Sequence, residues 1–204
     1  MKKTAIMLLC LVICIACKKD GPLDKLKKVS EGVKNTTKVL DNLEKAGDVM
    51  LELKDLEPIS NEVLKAWMPE NLKDLKRTEY KIGNAGLANI STINLQFKSP
   101  DDIQKQFKIE IIDGAGAGSG VIYMYKMIEN TNLETENERG YEKIYKRDGI
   151  SIKESYSNNK YNNIRTKQEF LINNRFAVSI KAKKIKPDEL WEYMKALNFE
   201  KLKK

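Results

Sequence analysis

The chain beyond residue 76 consists largely of short runs rich in β-branched and aromatic residues, separated by turn residues. The runs that predict strands are EYKIG, ANISTINLQF, FKIEIID, YEKIYK, ISIKESY, TKQEFLI and RFAVSIKAK. Arg-Asp-Gly separates YEKIYK from ISIKESY, and Asn173-Asn174, a pair that tolerates the positive φ of a two-residue hairpin turn, separates the last two runs. Because hairpins join antiparallel strands, the sequence predicts an antiparallel sheet of about six or seven strands.

Other segments of this region predict helices. VIYMYKMI follows a glycine-rich turn, and Pro187 opens DELWEYMKAL, which places Leu190, Trp191, Met194 and Leu197 on one side. One or two short helices are expected around Pro69. The predicted order of three strands, a helix, four strands and a helix indicates an α+β domain over residues 58–204, without an internal repeat. This order resembles that of PsbP-like α/β/α sandwiches, a resemblance that implies no functional residue.

The segment before this domain predicts an amphipathic helix. Between Leu26 and Met50, apolar residues follow a 3-4 spacing in which Thr36 and Gly47 fill two positions. Such a helix can lie on the globular body, stand as a stalk or form an oligomerisation zipper. Residues 18–38 contain seven lysines and three acids, which suits either attraction to anionic lipid or a solvated helix face. We assign residues 17–57 to this tether.

The N-terminus carries an export signal. The apolar run over residues 4–16 is thirteen residues long, whereas a helix needs about 20 apolar residues to cross a bilayer. Lys2 and Lys3 precede the run and the small residue Ala16 ends it, in the order of a secretory signal peptide. Residues 1–16 are therefore predicted to be removed. An uncleaved hydrophobic anchor would place the body on the same side of the membrane.

The end of this signal, Cys14-Ile15-Ala16-Cys17, resembles the lipobox of bacterial lipoproteins, with Cys14 at a position where leucine is usual. The resemblance implies cleavage before Cys17, attachment of diacylglycerol to that residue and an address in the cell envelope. Lys-Lys-Asp after Cys17 is similar to the charged start of many Bacteroidota lipoproteins. Lys18 differs from the aspartate that retains enterobacterial lipoproteins at the inner membrane. We therefore expect the outer membrane or a periplasm-facing membrane.

Composition excludes several kinds of chemistry. The chain has no histidine, so Ser-His-Asp and Cys-His catalysis and HExxH zinc sites are ruled out. Cleavage would leave Cys17 as the only cysteine, already acylated, and the fold must then rest on an apolar core. The formal charge would fall from +8 to +6 because Lys2 and Lys3 leave with the signal. Despite this basic balance we predict no nucleic-acid partner, since export argues against it and no recognised motif is present.

One segment has a pattern that could bind an anion. In IIDGAGAGSGVIYMY, Gly114, Gly116, Gly118 and Gly120 join a strand to a helix, where freed backbone amides can hold phosphate or carboxylate. The spacing matches neither a Rossmann fingerprint nor a Walker A motif. The other interpretation is close packing of the helix on the sheet, with Ser119 as its N-cap and Asp113 near its positive end. The anion interpretation uses Gly114, Gly116, Gly118 and Ser119.

No metal ligand, cofactor or catalytic residue is predicted. Glu134, Glu136 and Glu138 could hold calcium, but they lack the spacing and glycine of a calcium loop, and we interpret them as an exposed acidic loop. The sequence favours a membrane-anchored envelope lipoprotein that acts as a binding or structural module for another envelope component, with a protein as the expected partner. The alternative is a histidine-free enzyme or small-anion binder that uses Asp113 and the Gly114–Gly120 turn.

Overall fold

The computed structural model describes residues 40–85, 90–129, 131–158 and 163–202. Residues Asn42–Lys204 form one compact unit. Its strands are β1 (Asn71–Leu72), β2 (Leu75–Ala85), β3 (Ile90–Lys98), β4 (Gln106–Asp113), β5 (Glu134–Asn137), β6 (Gly140–Arg147), β7 (Ile150–Asn158), β8 (Ile164–Ile172) and β9 (Phe176–Lys183). The helices are α1 over residues 40–54, α2 (Asn61–Trp67), α3 (Ser119–Glu129) and α4 (Pro187–Ala196), with 3₁₀ turns at Gly116–Gly118 and Phe199–Leu202.

All nine strands belong to one antiparallel sheet with the order β1-β2-β3-β4-β9-β8-β7-β6-β5. The predicted antiparallel α+β architecture is confirmed, but the expected number of six or seven strands is too low. The additional strands are β1 and β5, which form the two edges. The segment of Glu134 and Glu136, predicted to be an acidic loop, is β5, and all four of its residues are exposed. Its backbone pairing with β6 overrides the low strand preference of its polar residues.

The hairpin turns follow the predicted chemistry. Asn173 and Asn174 each have a φ of 53°, and Asp148 and Gly149 have φ values of 50° and 80°. Two successive residues with positive φ produce a turn whose twist matches that of the flanking strands. The two turns therefore fix the registers of β8 with β9 and of β6 with β7. Pro187 begins α4, as predicted from the sequence.

The face of the sheet that we call the core face carries most of the apolar core. Alternate residues of β4 and β9, among them Phe107, Ile109 and Ile180, are at most 2% exposed. Helices α2 and α4 and the last 3₁₀ turn cover this face. Trp67 of α2 stacks on Phe199 with ring centroids 5.9 Å apart, and Trp191 of α4 is 2% exposed. The buried aromatic residues contribute a large share of the hydrophobic stabilisation.

The opposite face, which we call the polar face, is covered only at one end. There Leu171 and Ala177 of the sheet form a second cluster with Ile122 of α3 and Leu53 of α1, and Val49 packs against it. Helices therefore lie on both sides of the sheet. The remainder of the polar face presents charged and hydroxyl side chains of β3, β4, β9, β8 and β7. This uncovered area is therefore the part of the polar face that is open to a ligand.

Helix α1 uses a different stripe from the predicted one. The 3-4 pattern placed Leu43, Gly47 and Met50 on the apolar side, whereas Ala46 and Leu53 are the buried residues and Val49 packs beside Leu53. The apolar pocket above Leu171 and Ala177 selects this side of the helix. Cys17, the signal over residues 1–16 and residues 17–39 of the predicted tether lie outside the described residues. In the described part of the chain, no helix combines the length and apolar character that a membrane crossing requires.

Candidate functional site

Asp113 is the residue that the enzyme alternative would use. It ends β4 in a buried position, and its side chain is 3% exposed. Its Oδ1 accepts hydrogen bonds from Arg175 Nε at 2.7 Å and from Ala115 N at 3.0 Å. Its Oδ2 accepts from Arg175 Nη2 at 2.9 Å and from Ile59 N at 2.7 Å. A carboxylate has about four acceptor positions, and these four bonds occupy them. The same arginine donates to the carbonyl of Glu57 at 3.0 Å, so the group ties the segment before α2 to the sheet.

This Asp113–Arg175 clamp also explains the electrostatics around it. The hydrogen bond from Arg175 to Asp113 raises the pKa of the guanidinium above its usual value, although partial burial opposes the shift. A bidentate arginine–carboxylate pair fixes both the distance and the orientation of its partners. The clamp therefore joins three distant parts of the chain in a defined geometry.

The glycine turn is packed tightly against these groups. A Cβ on Gly118 would lie 2.0 Å from the carbonyl oxygen of Asp113, and a Cβ on Gly114 would lie 2.1 Å from Ile122 Cγ1. Gly116 has a φ of +59°, a conformation that favours glycine. Gly120, in contrast, has nothing within 4 Å of its Cβ position. The structure thus brings the predicted turn residues together through close helix-to-strand contacts.

Ser119 does not have the predicted role of an N-cap. It lies inside the first turn of α3 with helical dihedral angles and is 8% exposed. The chain enters the helix through the preceding 3₁₀ turn, whose N-cap Ala115 makes no side-chain cap bond. The nearby carboxylate of Asp113 accepts from the backbone N–H of Ala115, and this bond takes the place that a serine cap was expected to fill.

A different group of residues stands out on the uncovered part of the polar face. The strand registers place Lys108 of β4 opposite Lys181 of β9, and Lys181 opposite Lys167 of β8. In the next row, Lys183 of β9 lies opposite Arg165 of β8. Five cations thus occupy two rows across three neighbouring strands. Given strand spacings of about 4.8 Å and a rise of about 3.3 Å per residue, they cover a patch of about 10 by 7 Å.

These five residues line a cleft of about 520 Å³, which we call the cationic cleft. Gln106 and the hydroxyl residues Ser155 and Ser157 also line it. No Asp or Glu is among its lining residues within the described part of the chain. The cleft therefore combines positive charge with neutral hydrogen-bonding groups, which is the chemistry that a bound anion requires.

Most of these cations form no ion pair with a residue of the described ranges. Lys167 pairs with Glu169 at 2.7 Å. Over the ranges that the structure describes, no carboxylate lies within 4 Å of Lys108, Arg165, Lys181 or Lys183. Like charges directly opposite each other on neighbouring strands destabilise a sheet. An anionic ligand would remove this repulsion, so the cleft is arranged to gain from binding a negative charge.

The described ranges offer no alternative metal centre, because no three His, Cys, Asp or Glu side chains cluster in them in a way that could hold an ion. Comparison with protein-family models, with curated proteins and with solved structures finds no match for this chain.

The cationic cleft is not among the sites predicted from the sequence. A partial signal was present, since Arg165 and Lys167, and likewise Lys181 and Lys183, are two residues apart in predicted strands and must share a face. Their alignment with one another and with Lys108 depends on strand order and register, which the sequence did not provide.

Proposed function

We propose that this protein is a lipid-anchored module of the bacterial cell envelope that binds an acidic polymer, such as a polysaccharide bearing carboxylate, phosphate or sulfate groups. Cys17 would tether the chain to the membrane, and the cationic cleft would hold the polymer. The observation that carries the binding proposal is the register that aligns Lys108, Lys181 and Lys167 in one row. The anchoring part rests on the lipobox resemblance at Cys17.

The shape of the site favours a polymer chain over other anions. A concave cleft admits an extended chain, whereas a planar bilayer would contact mainly its rim. Two rows of cations about 7 Å apart can hold several charged groups of one chain, and a single small anion would leave most of them unneutralised. Ser155 and Ser157 add hydroxyl groups that can bond to neutral parts of the chain.

We do not propose the alternative of an enzyme based on Asp113. The four hydrogen bonds to its carboxylate occupy the positions that a substrate proton or nucleophile would need. The glycine turn beside it is filled by the contacts that Gly114 and Gly118 make with neighbouring atoms. No specific observation in this part of the fold favours a bound anion.

The binding experiment uses the full chain with dextran sulfate as the polyanion and uncharged dextran as the matched ligand. We expect salt-sensitive binding to dextran sulfate alone. The variant Lys108→Gln/Lys181→Gln/Lys183→Gln should bind about tenfold more weakly or worse, with a shallower salt dependence. The control variant Lys45→Gln/Lys54→Gln/Lys65→Gln loses the same charge at exposed positions of α1 and α2 and should bind normally.

Three results would contradict the polymer proposal. One is equal weakening by both triple variants, which would indicate a response to net charge alone. Another is equally strong, cleft-dependent binding to phosphatidylglycerol vesicles, which would identify a membrane surface as the partner. The third is that the chain does not bind dextran sulfate, but an acidic protein co-purifies with it through these lysines. That result would favour the protein partner expected from the sequence.

The anchor is tested separately by labelling. Labelled palmitate should enter the wild-type protein, Cys10→Ser and Cys14→Ser, but not Cys17→Ser. Continued labelling of Cys17→Ser would contradict the lipid anchor without affecting the binding result. Fractionation of the same cells should place the wild type in the membrane fraction.

We also retain membership of the PsbP-like α/β/α sandwiches as a proposal about fold family. Support comes from the order of elements and from the helices on both faces of the sheet. An experimental structure with all helices on one face would contradict it.

A further inference from the structure

A second cleft lies on the core face, beside the start of α4. It has a volume of about 600 Å³ and is lined by Tyr141, Lys143 and Tyr145 of β6, by Glu154 and Tyr156 of β7, and by residues around Pro187. At its base is Glu154, a carboxylate that is only 1% exposed. Buried carboxylates are rare unless they are paired or fully hydrogen-bonded, so the partners of Glu154 decide what this cleft can do.

Three neutral groups donate hydrogen bonds to Glu154. Tyr141 Oη donates to Oε1 at 2.7 Å, while Tyr145 Oη and Gln168 Nε2 donate to Oε2 at 2.8 and 2.7 Å. Burial and these bonds to Glu154 raise the pKa of both tyrosines well above the usual value, so they remain neutral donors. One of the four acceptor positions of the carboxylate, on Oε1, is left over.

The ammonium group of Lys143 sits above this carboxylate between two aromatic rings. Its Nζ lies 4.7 Å from the ring centroid of Tyr141 and 4.9 Å from that of Tyr145, within the range of cation–π attraction. Its distance to Glu154 Oε1 is 3.9 Å, which is too long for a hydrogen bond. Tyr156 stacks on Tyr141 at 5.5 Å and supports that wall. Glu154, Tyr141 and Tyr145 thus form an ammonium cage that combines a buried negative charge with two aromatic walls.

The occupant is also free to leave. The side chain of Lys143 is 38% exposed and its flexible stem can carry the charge into water. The rim of the cleft holds Arg147 and Lys186 as well as Asp188 and Glu189, so it has no strong bias against a cation. Since the cleft is far larger than one ammonium group, a ligand can place its charged end in the cage and its remainder along the cleft.

We propose that the cage of Tyr141, Tyr145 and Glu154 binds the ammonium group of an organic ligand, and that Lys143 is its internal competitor. Binding would proceed by displacement of the Lys143 side chain, with the ligand charge taking its place between the rings. This inference is independent of the cationic cleft and of the lipid anchor.

The test measures binding of choline to the full chain by calorimetry or NMR, with its uncharged isostere 3,3-dimethylbutan-1-ol as the control ligand. Lys143→Ala removes the competitor and should strengthen choline binding by about tenfold, equivalent to about 1.4 kcal/mol. Lys146→Ala, on the same strand but the opposite face, has the same change in charge and should leave the affinity unaltered. The uncharged isostere should bind neither the wild type nor the two variants.

Removal of the cage should have the opposite effect. Glu154→Gln should abolish choline binding, and Tyr145→Leu should weaken it by about tenfold through loss of one aromatic wall. Thermal melting identifies any of these variants that fails to fold. If Glu154→Gln and Tyr145→Leu both fail to fold, the Lys143→Ala result still tests the proposal, because the Lys143 side chain is partly exposed. Weaker or unchanged choline affinity in Lys143→Ala would overturn the proposal, as would equal binding of the uncharged isostere.

Discussion

The Asp113–Arg175 clamp and the cationic cleft use charged residues in opposite ways. In the clamp, a buried carboxylate and a guanidinium meet at 2.7 Å and every acceptor position of the carboxylate is occupied. In the cleft, exposed cations are aligned with one another across the sheet and four of them have no carboxylate nearby among the described residues. The first arrangement fixes three segments of the fold relative to one another, and the second leaves charge available to a ligand.

The difference in pairing between the two regions distinguishes charged residues that hold the fold together from those that are available to a ligand. Both groups consist of charged residues that lie in predicted strands or directly beside them, and the sequence alone does not distinguish them. Removal of a charge from the clamp leaves its partner buried and uncompensated, which is costly. Removal of a charge from the cleft relieves repulsion. Substitutions in the clamp and in the cleft should therefore change stability in opposite directions.

Asp113→Asn should reduce the free energy of unfolding by about 3 kcal/mol, because the partly buried Arg175 loses its ionic partner and the buried side chain loses two acceptor positions. Urea denaturation of the purified variant and the wild type measures the difference. Asp101→Asn, at an exposed position in the turn between β3 and β4, is the matched control and should change stability by less than about 0.5 kcal/mol. Equal effects of the two variants would show that the clamp contributes little.

Gly118→Ala should destabilise the domain by about 1–3 kcal/mol, since the new methyl group would meet the carbonyl oxygen of Asp113 and force the helix away from the strand. Gly120→Ala, two residues further along α3, adds the same methyl group where space is free and should be neutral or slightly stabilising. Thermal and urea unfolding measure both. Similar losses for the two variants would contradict the packing explanation of the glycine turn.

Lys181→Gln should increase the free energy of unfolding by about 0.2–1 kcal/mol, because Lys181 faces a lysine on each neighbouring strand. The gain should shrink at high salt, which screens the repulsion. Lys45→Gln on α1 serves as the control for a simple change of net charge. A loss of stability in Lys181→Gln would mean that the long side chain packs in a way that outweighs the repulsion.

A pH-dependent effect is expected at the covered end of the polar face, where α3 lies above acidic residues. Burial, and the negative charges of Glu169 and Glu110, raise the pKa of Tyr125 to about 12. The tyrosines of an unfolded chain titrate near pH 10, so the folded state holds this proton more tightly. Its stabilising contribution is complete below about pH 10 and is lost as the pH rises towards 12.

Urea unfolding of the wild type and Tyr125→Phe at pH 9 and pH 11.5 measures this contribution. The difference in stability between the two proteins should shift in favour of the phenylalanine variant at the higher pH. A constant difference would show that the tyrosine titrates alike in both states.

Much of the fold follows from local patterns in the sequence. Asn173-Asn174 predicts its hairpin because both residues tolerate positive φ, and Pro187 predicts the start of α4 because its missing N–H is not needed there. The edge strands escaped prediction for physical reasons. β1 has only two residues, and β5 is polar and exposed throughout, so neither produces a hydrophobic pattern. Each exists because a neighbouring strand supplies its hydrogen bonds.

The candidate site was less predictable because it depends on contacts between distant segments. Asp113 was singled out, but its partner Arg175 lies in the turn between β8 and β9 and is brought to it by the pairing of β4 with β9. The same pairing aligns Lys108 with Lys181. A local sequence pattern indicates which residues of one strand share a face, and the register that combines several strands is a property of the assembled sheet.

The two edge strands have a consequence for how such a protein behaves at high local concentration. An open sheet of nine strands has two free edges, and unpaired backbone groups there can template association with another chain. Here one edge is a strand of two residues, and the other, β5, carries Glu134 and Glu136 and is fully exposed. β1 pairs only with Leu75 and Lys76, so among the described residues most of β2 has no strand partner on that side. The glutamates of β5, in contrast, repel like charges of a second copy placed opposite them. Resistance to edge-to-edge association is therefore a property of the β5 end of the sheet.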